Sequence, residues 1–249
     1  MKIARRTVLT SGVAAGVAAS AAARAQTAPA MPAPPPPPTE HQLLTDWPDL
    51  QHYREDNLRV RALPASARRV VFLGDSITRE WPLFHPEFFA SNGYICRGIS
   101  GQTTPQMLVR LRQDVISLAP EVMHLMAGTN DIAENTGPYN PQATTNNIMS
   151  MAELAKLHRI RVIIASVPPA TEFGWRPGRE PVPKIRALNE WIRKYAAGAG
   201  FVYADYTAIL DNGLGGMKPE LSYDGVHPSK AGYQAMEQVA TRAIGEVLA

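Results

Sequence analysis

The sequence predicts an α/β fold in which helices cover both faces of a doubly wound, five-stranded parallel sheet. Three observations support this prediction: short apolar runs that are typical of buried strands, helical stripes between them, and a regular alternation of the two. In such sheets, ligands bind beyond the carboxyl ends of the strands. The residues that follow each predicted strand are therefore the first candidates for a functional site.

Five short apolar runs are predicted to be strands. The first, at 70–73, is a Val-Val-Phe-Leu run that ends at Gly74. The other four have the same character and lie at 94–96, 122–127, 162–165 and 201–204. Their apolar residues are consecutive rather than alternating, which indicates burial on both faces of a parallel sheet.

Four helices are predicted from apolar residues at helical spacing. The first has Thr104 as its expected N-cap and Pro105 at its first helical position, where both residue types are favoured. The last follows Ser229, which is another typical N-cap. The expected buried stripes are Leu108, Leu111, Val115 and Leu118; Ile148, Met151, Ala152 and Ala155; Ile185, Leu188, Ile192 and Tyr195; and Tyr233, Met236, Ala240 and Ala243.

The first 25 residues have the pattern of an export signal, and residues 26–38 have that of a proline-rich linker. The pair Arg5-Arg6, a weakly apolar stretch at 8–23 and the site Ala23-Arg24-Ala25 resemble a twin-arginine signal. The general secretory route and an uncleaved amphipathic anchor are the alternatives. The linker holds seven prolines, which favour an extended spacer. The globular domain is then predicted at 39–249, in a periplasmic protein without membrane insertion after removal of the signal.

The charge balance argues against nucleic-acid binding. The chain has 25 Lys and Arg against 22 Asp and Glu, but the first 25 positions contain four basic residues and no acidic one. Without that segment, 21 basic residues face 22 acidic ones, so the folded domain has a net charge of −1. One cysteine, Cys96, and six scattered histidines form no metal-ligand pattern, so we expect neither a metal nor a cofactor.

Reactive groups follow three of the predicted strands. Ser76 lies in a Gly-Asp-Ser-Ile turn after the first strand, where it is either a nucleophile or a helix cap. After the second strand, Gly101 in Ile-Ser-Gly-Gln-Thr offers a backbone amide. After the third strand, Asn130 in Gly-Thr-Asn-Asp offers a side-chain amide. Taken alone, each of the last two also fits an ordinary turn.

An acid and a histidine lie close together near the end of the chain. Asp224 precedes His227 by three residues in Asp-Gly-Val-His-Pro, a spacing that lets the carboxylate hold imidazole Nδ1–H and leaves Nε2 free as a base. The pair alone also fits a loop that satisfies its own polar groups. With Ser76, Gly101 and Asn130, it completes the set of groups that a serine hydrolase uses for acyl transfer.

The four motifs in this order resemble the SGNH, or GDSL, hydrolase superfamily over about residues 69–249. Within it, the sequence is most similar to esterases related to platelet-activating-factor acetylhydrolase and to bacterial lysophospholipase-like esterases. The resemblance implies a flavodoxin-like three-layer fold, with Ser76 as nucleophile, His227 as base and then acid, and Asp224 as its orienter. It also implies an oxyanion hole formed by the amides of Ser76 and Gly101 and the side chain of Asn130.

Two positions depart from the pattern of that superfamily. Cys96 stands where relatives often have Asn, and Gln102 replaces a common Asp. Both positions lie near the expected donor Gly101 but do not replace it. They therefore affect the contacts that hold the Gly101 loop in place. Cys96 itself is expected to be a small buried residue rather than a nucleophile, since the sequence places nothing nearby that would lower its pKa.

The segment 166–183 follows the fourth strand and is predicted to border the site. Trp175 and Arg176 in this segment, together with Trp81, are candidate substrate-binding residues, because an aromatic platform beside arginine suits a polar alcohol such as a sugar. The alternative is that the aromatic residues anchor the loop to the domain.

We expect an esterase for short acyl groups, acetyl above all, on small-molecule or carbohydrate esters, since no long apolar stretch suggests a lid for long acyl chains. Alternatives are a lysophospholipase or thioesterase, an acyltransferase that uses the same acyl-serine, and a non-catalytic binding module. The sequence indicates no oligomeric state.

Overall fold

The structure is a computed structural model of the 249-residue chain, and it describes Thr39 and residues 44–249. The predicted export signal at 1–25 and the predicted linker at 26–38 lie outside these residues. Among the described residues, none of the helices combines the length and the apolar character needed to cross a bilayer.

One parallel sheet of five strands forms the centre of the fold, with the strand order β2-β1-β3-β4-β5. The strands are β1 Val70–Gly74, β2 Tyr94–Gly98, β3 Val122–Leu125, β4 Arg161–Ala165 and β5 Val202–Ala204. The predicted fold class and all five strands are confirmed. The third strand is shorter than predicted because Met126 and Ala127, although only 2% and 3% exposed, lie beyond the end of the ladder.

Nine helices whose full length is described surround the sheet, besides three short 3-10 turns at Ala65–Ala67, Ile116–Leu118 and Pro219–Leu221. They are α1 Arg54–Ala62, α2 Ser76–Phe84, α3 Pro86–Ala90, α4 Thr104–Asp114, α5 Thr129–Ile132, α6 Pro141–Leu157, α7 Pro181–Ala199, α8 Thr207–Leu210 and α9 Lys230–Leu248. Ser229 caps α9 as predicted, since its side chain accepts the Gly232 amide. The cap predicted for α4 is wrong by one residue.

The α4 helix begins one residue earlier than predicted and ends earlier too. Thr103 is the N-cap, and its amide donates to Gln106 Oε1 at 3.0 Å in a capping box. Val115 and Leu118, predicted on this helix, lie at and beyond its end, yet both are fully buried. The periodic pattern therefore indicated burial correctly but did not show where the helix ends.

The alternation of side chains along the strands creates two apolar cores, one on each face of the sheet. Leu73 and Leu125 pack with residues of α4, α6 and α7, whereas Phe72 and Val122 pack with residues of α2 and α9. The four predicted helical stripes all contribute to these cores, with Leu108 and Tyr195 only partly buried.

The order of the strands changes direction at β1, which is where sheets of this kind bind ligands. Strand β2 lies on one side of β1 and β3 on the other, so the loops that leave these strands diverge at their carboxyl ends. Ser76 begins α2 after β1, Gly101 follows β2, and Asn130 lies on α5 after β3. The topology therefore brings all three motifs to one edge of the sheet.

Candidate active site

Ser76 is the first residue of α2, and a single residue separates it from β1. That residue, Asp75, is the N-cap of the helix: its Oδ1 accepts the Ile77 amide at 3.0 Å. The turn is tight, since a Cβ at Gly74 would lie 2.0 Å from Thr78 Oγ1. The capping role considered for Ser76 thus belongs to Asp75, and the Ser76 hydroxyl points to another partner.

The partner of Ser76 is His227, in the loop before α9. Ser76 Oγ lies 2.9 Å from His227 Nε2, and His227 Nδ1 lies 2.7 Å from Asp224 Oδ2. The other oxygen of Asp224 accepts the backbone amides of Val226 and His227 at 2.9 and 2.7 Å. A carboxylate fixed in this way favours a proton on Nδ1, which leaves Nε2 as the acceptor that faces Ser76.

The pKa values of His227 and Asp224 are shifted in opposite directions. Burial alone would lower the pKa of His227, but the hydrogen bond and the charge of Asp224 outweigh it and raise that pKa above its ordinary value. Burial alone would raise the pKa of Asp224, but hydrogen bonds from the His227 side chain and amide lower it. The imidazole is therefore well suited to accept and hold a proton.

Two exposed aromatic rings flank His227. The ring of Tyr223 is nearly parallel to the imidazole, with an interplanar angle of 11° and centroids 5.6 Å apart, and its hydroxyl donates to Glu80 Oε2 at 2.7 Å. The ring of Trp175 lies 6.1 Å from the imidazole. Trp175 is 42% exposed and Tyr223 39%, so both offer ring surface at the entrance to the site.

Asn130 links the loops that follow β1, β2 and β3. The residue is 2% exposed, and its Nδ2 donates to Gln102 O at 3.1 Å and lies 3.4 Å from Asp75 Oδ2. Its Oδ1 accepts from Asn135 Nδ2 at 2.8 Å. Gly101, just before Gln102, has a φ of 76°, a conformation that glycine adopts without strain.

Both positions that depart from the superfamily pattern are held by hydrogen bonds. The Cys96 thiol donates to Thr78 O at 3.3 Å, and burial raises its pKa, which disfavours the reactive thiolate. Gln102 is 3% exposed; its Oε1 accepts from Arg110 Nε at 2.6 Å, and its Nε2 donates to Pro48 O at 2.7 Å. The amide at this position therefore ties the Gly101 loop both to α4 and to the segment before α1.

Arg110 supports the site from beneath. It is fully buried, pairs with Asp114 at 3.0 Å, and donates from Nη2 to Gly74 O at 3.0 Å. One guanidinium therefore holds both the end of β1 and, through Gln102, the loop after β2. Because the guanidinium has five donors in a fixed plane, it can bridge several acceptors at once.

The structure corrects one of the three predicted substrate-binding residues. Trp81 is completely buried, and its Nε1 donates to Glu237 Oε1 at 3.1 Å. Each residue turns a helix by about 100°, so Trp81 lies about 140° around α2 from Ser76 and points into the core. Trp175 does lie at the site, and the neighbouring Arg176 is exposed, while Phe173 is buried and anchors their loop.

No pattern in the sequence assigns a role to Asn135, Arg110 or Tyr223. Asn135 stands in a Glu-Asn-Thr-Gly stretch that indicates only a turn, and Arg110 looks like any polar residue of an amphipathic helix. Tyr223 directly precedes Asp224, which is the only signal that places it near the site.

The described residues bring together a hydroxyl, an imidazole and a carboxylate in hydrogen-bonded order, beside a buried side-chain amide. This arrangement is suited to nucleophilic attack on a carbonyl group. In the described part of the chain, no three His, Cys, Asp or Glu side chains are grouped so that they could hold a metal ion.

Comparison with known proteins gives the same fold and a family. The GDSL-like Lipase/Acylhydrolase family model matches residues 72–235. The structure of a GDSL-like lipase from Bacteroides thetaiotaomicron is 44% identical with a TM-score of 0.78, covering 81% of this chain and 99% of that one. An acetylxylan esterase from Geobacillus stearothermophilus is 25% identical over 209 residues, which are 72% of this chain and 95% of the relative. The esterase TesA from Pseudomonas aeruginosa is 25% identical over 179 residues, which are 67% of this chain and 83% of the relative.

The family match spans the strands, loops and helices that form the site. The chain belongs to the GDSL-like lipase/acylhydrolase family and is an enzyme that hydrolyses carboxylic esters.

Proposed function

We propose that the protein is a serine esterase that cleaves short-chain acyl esters, acetyl esters above all, through an acyl-serine intermediate. The main support is the hydrogen-bonded order of Ser76, His227 and Asp224, with distances of 2.9 and 2.7 Å. Ser76 Oγ attacks the ester carbonyl while its proton passes to His227 Nε2. Asp224 stabilises the imidazolium that forms and keeps its orientation.

The tetrahedral intermediate has a negative charge on the former carbonyl oxygen. We assign its donors to the backbone amides of Ser76 and Gly101 and to Asn130 Nδ2. One Nδ2 hydrogen of Asn130 is used by Gln102 O at 3.1 Å, while the other meets Asp75 Oδ2 at a long 3.4 Å. We assign this second hydrogen to the oxyanion, so that a hydrogen bond to the oxyanion takes the place of the long contact with Asp75.

The reaction then proceeds in two stages, collapse of this intermediate to the acyl-serine and hydrolysis of the acyl-serine. The bond between the carbonyl carbon and the alcohol oxygen breaks, and His227 gives its proton to the departing alcohol. Water then attacks the acyl-Ser76 carbonyl while His227 takes its proton. The bond from the carbonyl carbon to Ser76 Oγ breaks, the proton passes from His227 to Ser76 Oγ, and the acid is released.

The alcohol part of the substrate is assigned to a small polar molecule or a carbohydrate. Trp175 and Tyr223 expose ring surface beside His227, and Arg176 adds a charged donor in the same loop. The relative from Geobacillus stearothermophilus is an acetylxylan esterase, which supports an acetylated carbohydrate as the substrate class.

We also propose export to the periplasm through residues 1–25, with residues 26–38 as a spacer, on the sequence pattern alone.

Hydrolysis of p-nitrophenyl acetate by the purified full chain tests the proposal. We expect turnover by the unchanged protein and by Ser91→Ala, an exposed matched control, and none above background for Ser76→Ala. Equal turnover by Ser76→Ala would show that another residue is the nucleophile. A preference for laurate over acetate in a series of p-nitrophenyl esters would contradict the short-acyl assignment.

A further inference from the structure

We propose that Asn135 is a positioning residue that fixes which way the Asn130 amide faces, and that Trp175 fixes Asn135 in turn. The inference rests on the proposed function, in which Asn130 Nδ2 binds the oxyanion. Trp175 Nε1 donates to Asn135 Oδ1 at 3.0 Å. Asn135 Nδ2 donates to Asn130 Oδ1 at 2.8 Å and to Gly101 O at 3.0 Å.

This chain of hydrogen bonds runs in one direction. An indole N–H can only donate and a backbone carbonyl can only accept, whereas a side-chain amide has one end of each kind. Trp175 and the Gly101 carbonyl therefore leave Asn135 one orientation, with its oxygen toward the indole and its nitrogen toward Asn130. Asn130 must then present its oxygen to Asn135, which leaves its nitrogen facing Gln102 O and Asp75 Oδ2, where we assign the oxyanion contact.

Asn135 is itself held firmly against both loops that supply the proposed donors. Its backbone amide donates to Asn130 O at 3.1 Å, in addition to the side-chain bond. A Cβ placed on Gly101 would lie 3.7 Å from Asn135 Nδ2, so the amide packs directly on that loop. The preceding Glu134, with a φ of 61°, pairs with Arg179 at 3.1 Å and ties the turn to the same loop that carries Trp175.

The chain of contacts joins the entrance of the site to its buried donor. Trp175 is 42% exposed and lies beside His227, whereas Asn130 is 2% exposed. A substrate that packs on Trp175 therefore contacts the first member of a hydrogen-bonded series whose last member faces the reacting oxygen. Bonds arranged head to tail in this way also polarise one another in a low dielectric.

Asn135→Asp tests the direction of the chain, because it keeps the size of the side chain but removes the donor. The new carboxylate attracts the NH₂ group of Asn130 and turns it away from the site. For p-nitrophenyl acetate we expect kcat to fall about 10²- to 10³-fold, as for loss of an oxyanion donor, with little change in KM. Asn135→Ala does not force the Asn130 amide into the reversed orientation, so it should lower kcat only about tenfold.

Trp175→Phe keeps an aromatic ring but removes the indole N–H. Loss of this one hydrogen bond should lower kcat about 2- to 10-fold. Asn146→Asp, the same chemical change as Asn135→Asp at an exposed position of α6, should leave kcat unchanged. Melting temperatures measured for every variant show which losses come from unfolding.

A double-mutant cycle gives the decisive comparison. In an Asn130→Ala background, Asn135→Asp and Trp175→Phe should cost nothing further in kcat, because the group that they orient is gone. The proposal is overturned if either substitution costs as much in that background as alone, or if Asn135→Ala is more harmful than Asn135→Asp. If Asn135→Asp does not fold, the Trp175→Phe cycle decides alone. Failure of the proposed function itself would appear separately, as activity retained by Ser76→Ala.

Discussion

The two sides of Ser76 are built in different ways. On the acid–base side, His227 and Asp224 are three residues apart, their side chains are 14% and 39% exposed, and the amides of their own loop hold the carboxylate. On the side of the proposed oxyanion donors, Asn130 is 2% exposed, and its contacts come from loops after three strands. Substitutions on the acid–base side should therefore lower kcat without changing stability. Substitutions of the residues that support the oxyanion donors should lower both kcat and stability.

His227→Ala tests the independence of the acid–base side and should have the largest effect. Removal of the base should lower kcat about 10⁴- to 10⁶-fold, because the serine proton then has no acceptor. The melting temperature should change little, since the loop keeps its backbone bonds to Asp224. His158→Ala, at an exposed histidine after α6, is the matched control. A large loss of stability in His227→Ala would remove the distinction between the two sides.

Arg110→Met tests whether the other side shares its supports with the core. The substitution leaves the buried carboxylate of Asp114 without its cation. Gly74 O and Gln102 Oε1 also lose the hydrogen bonds that they accept from Arg110. The free energy of unfolding in urea should fall by about 3–5 kcal/mol, and kcat should fall as well. The exposed Arg112 on the same helix provides the control Arg112→Met. Equal stability of the two variants would contradict a supporting role for Arg110.

The two tryptophans allow the same substitution to be compared in the core, at Trp81, and at the site, at Trp175. Trp81→Phe removes a buried hydrogen bond to Glu237 and should lower the free energy of unfolding by about 1–2 kcal/mol without altering kcat. Trp175→Phe, in the exposed loop, should do the reverse and lower kcat while stability stays the same. Kinetics and urea unfolding of both variants measure this crossover. An increase in KM for Trp81→Phe would restore Trp81 as a substrate contact.

The pH dependence of kcat/KM should show the smallest effect. The base acts only without its proton, so activity should rise with pH through the pKa of His227, which lies above the ordinary value of 6.5. Glu80 is one of the charges that raise this pKa, and Glu80→Gln should therefore move the midpoint to lower pH. A midpoint that does not move, or that moves upward, would show that Glu80 does not act on His227.

The features of the molecule that depend on a local sequence pattern could be predicted from the sequence. Consecutive apolar residues predicted all five strands, because burial on both faces leaves a direct signal. The motifs around Ser76, Gly101 and Asn130 could be located because each follows a predicted strand, where parallel sheets place their ligands. The pair formed by Asp224 and His227 could be predicted because its geometry lies within one short loop.

The remaining features depend on contacts between distant residues. The bond from Trp175 to Asn135 spans forty positions, and that from Arg110 to Gly74 spans 36. Trp81 was predicted wrongly because its direction depends on where α2 begins and on what packs behind it. Neither kind of information is contained in a single local pattern.

Labelling with a fluorophosphonate tests the central claim, that Ser76 is the nucleophile, most directly. The reagent forms a stable bond between phosphorus and an activated serine oxygen as fluoride departs, and mass spectrometry of the digested protein identifies the modified peptide. We predict a single adduct, on Ser76, with loss of esterase activity in proportion to labelling and no labelling of Ser76→Ala. An adduct on another serine, or full esterase activity in the protein labelled at Ser76, would contradict the account.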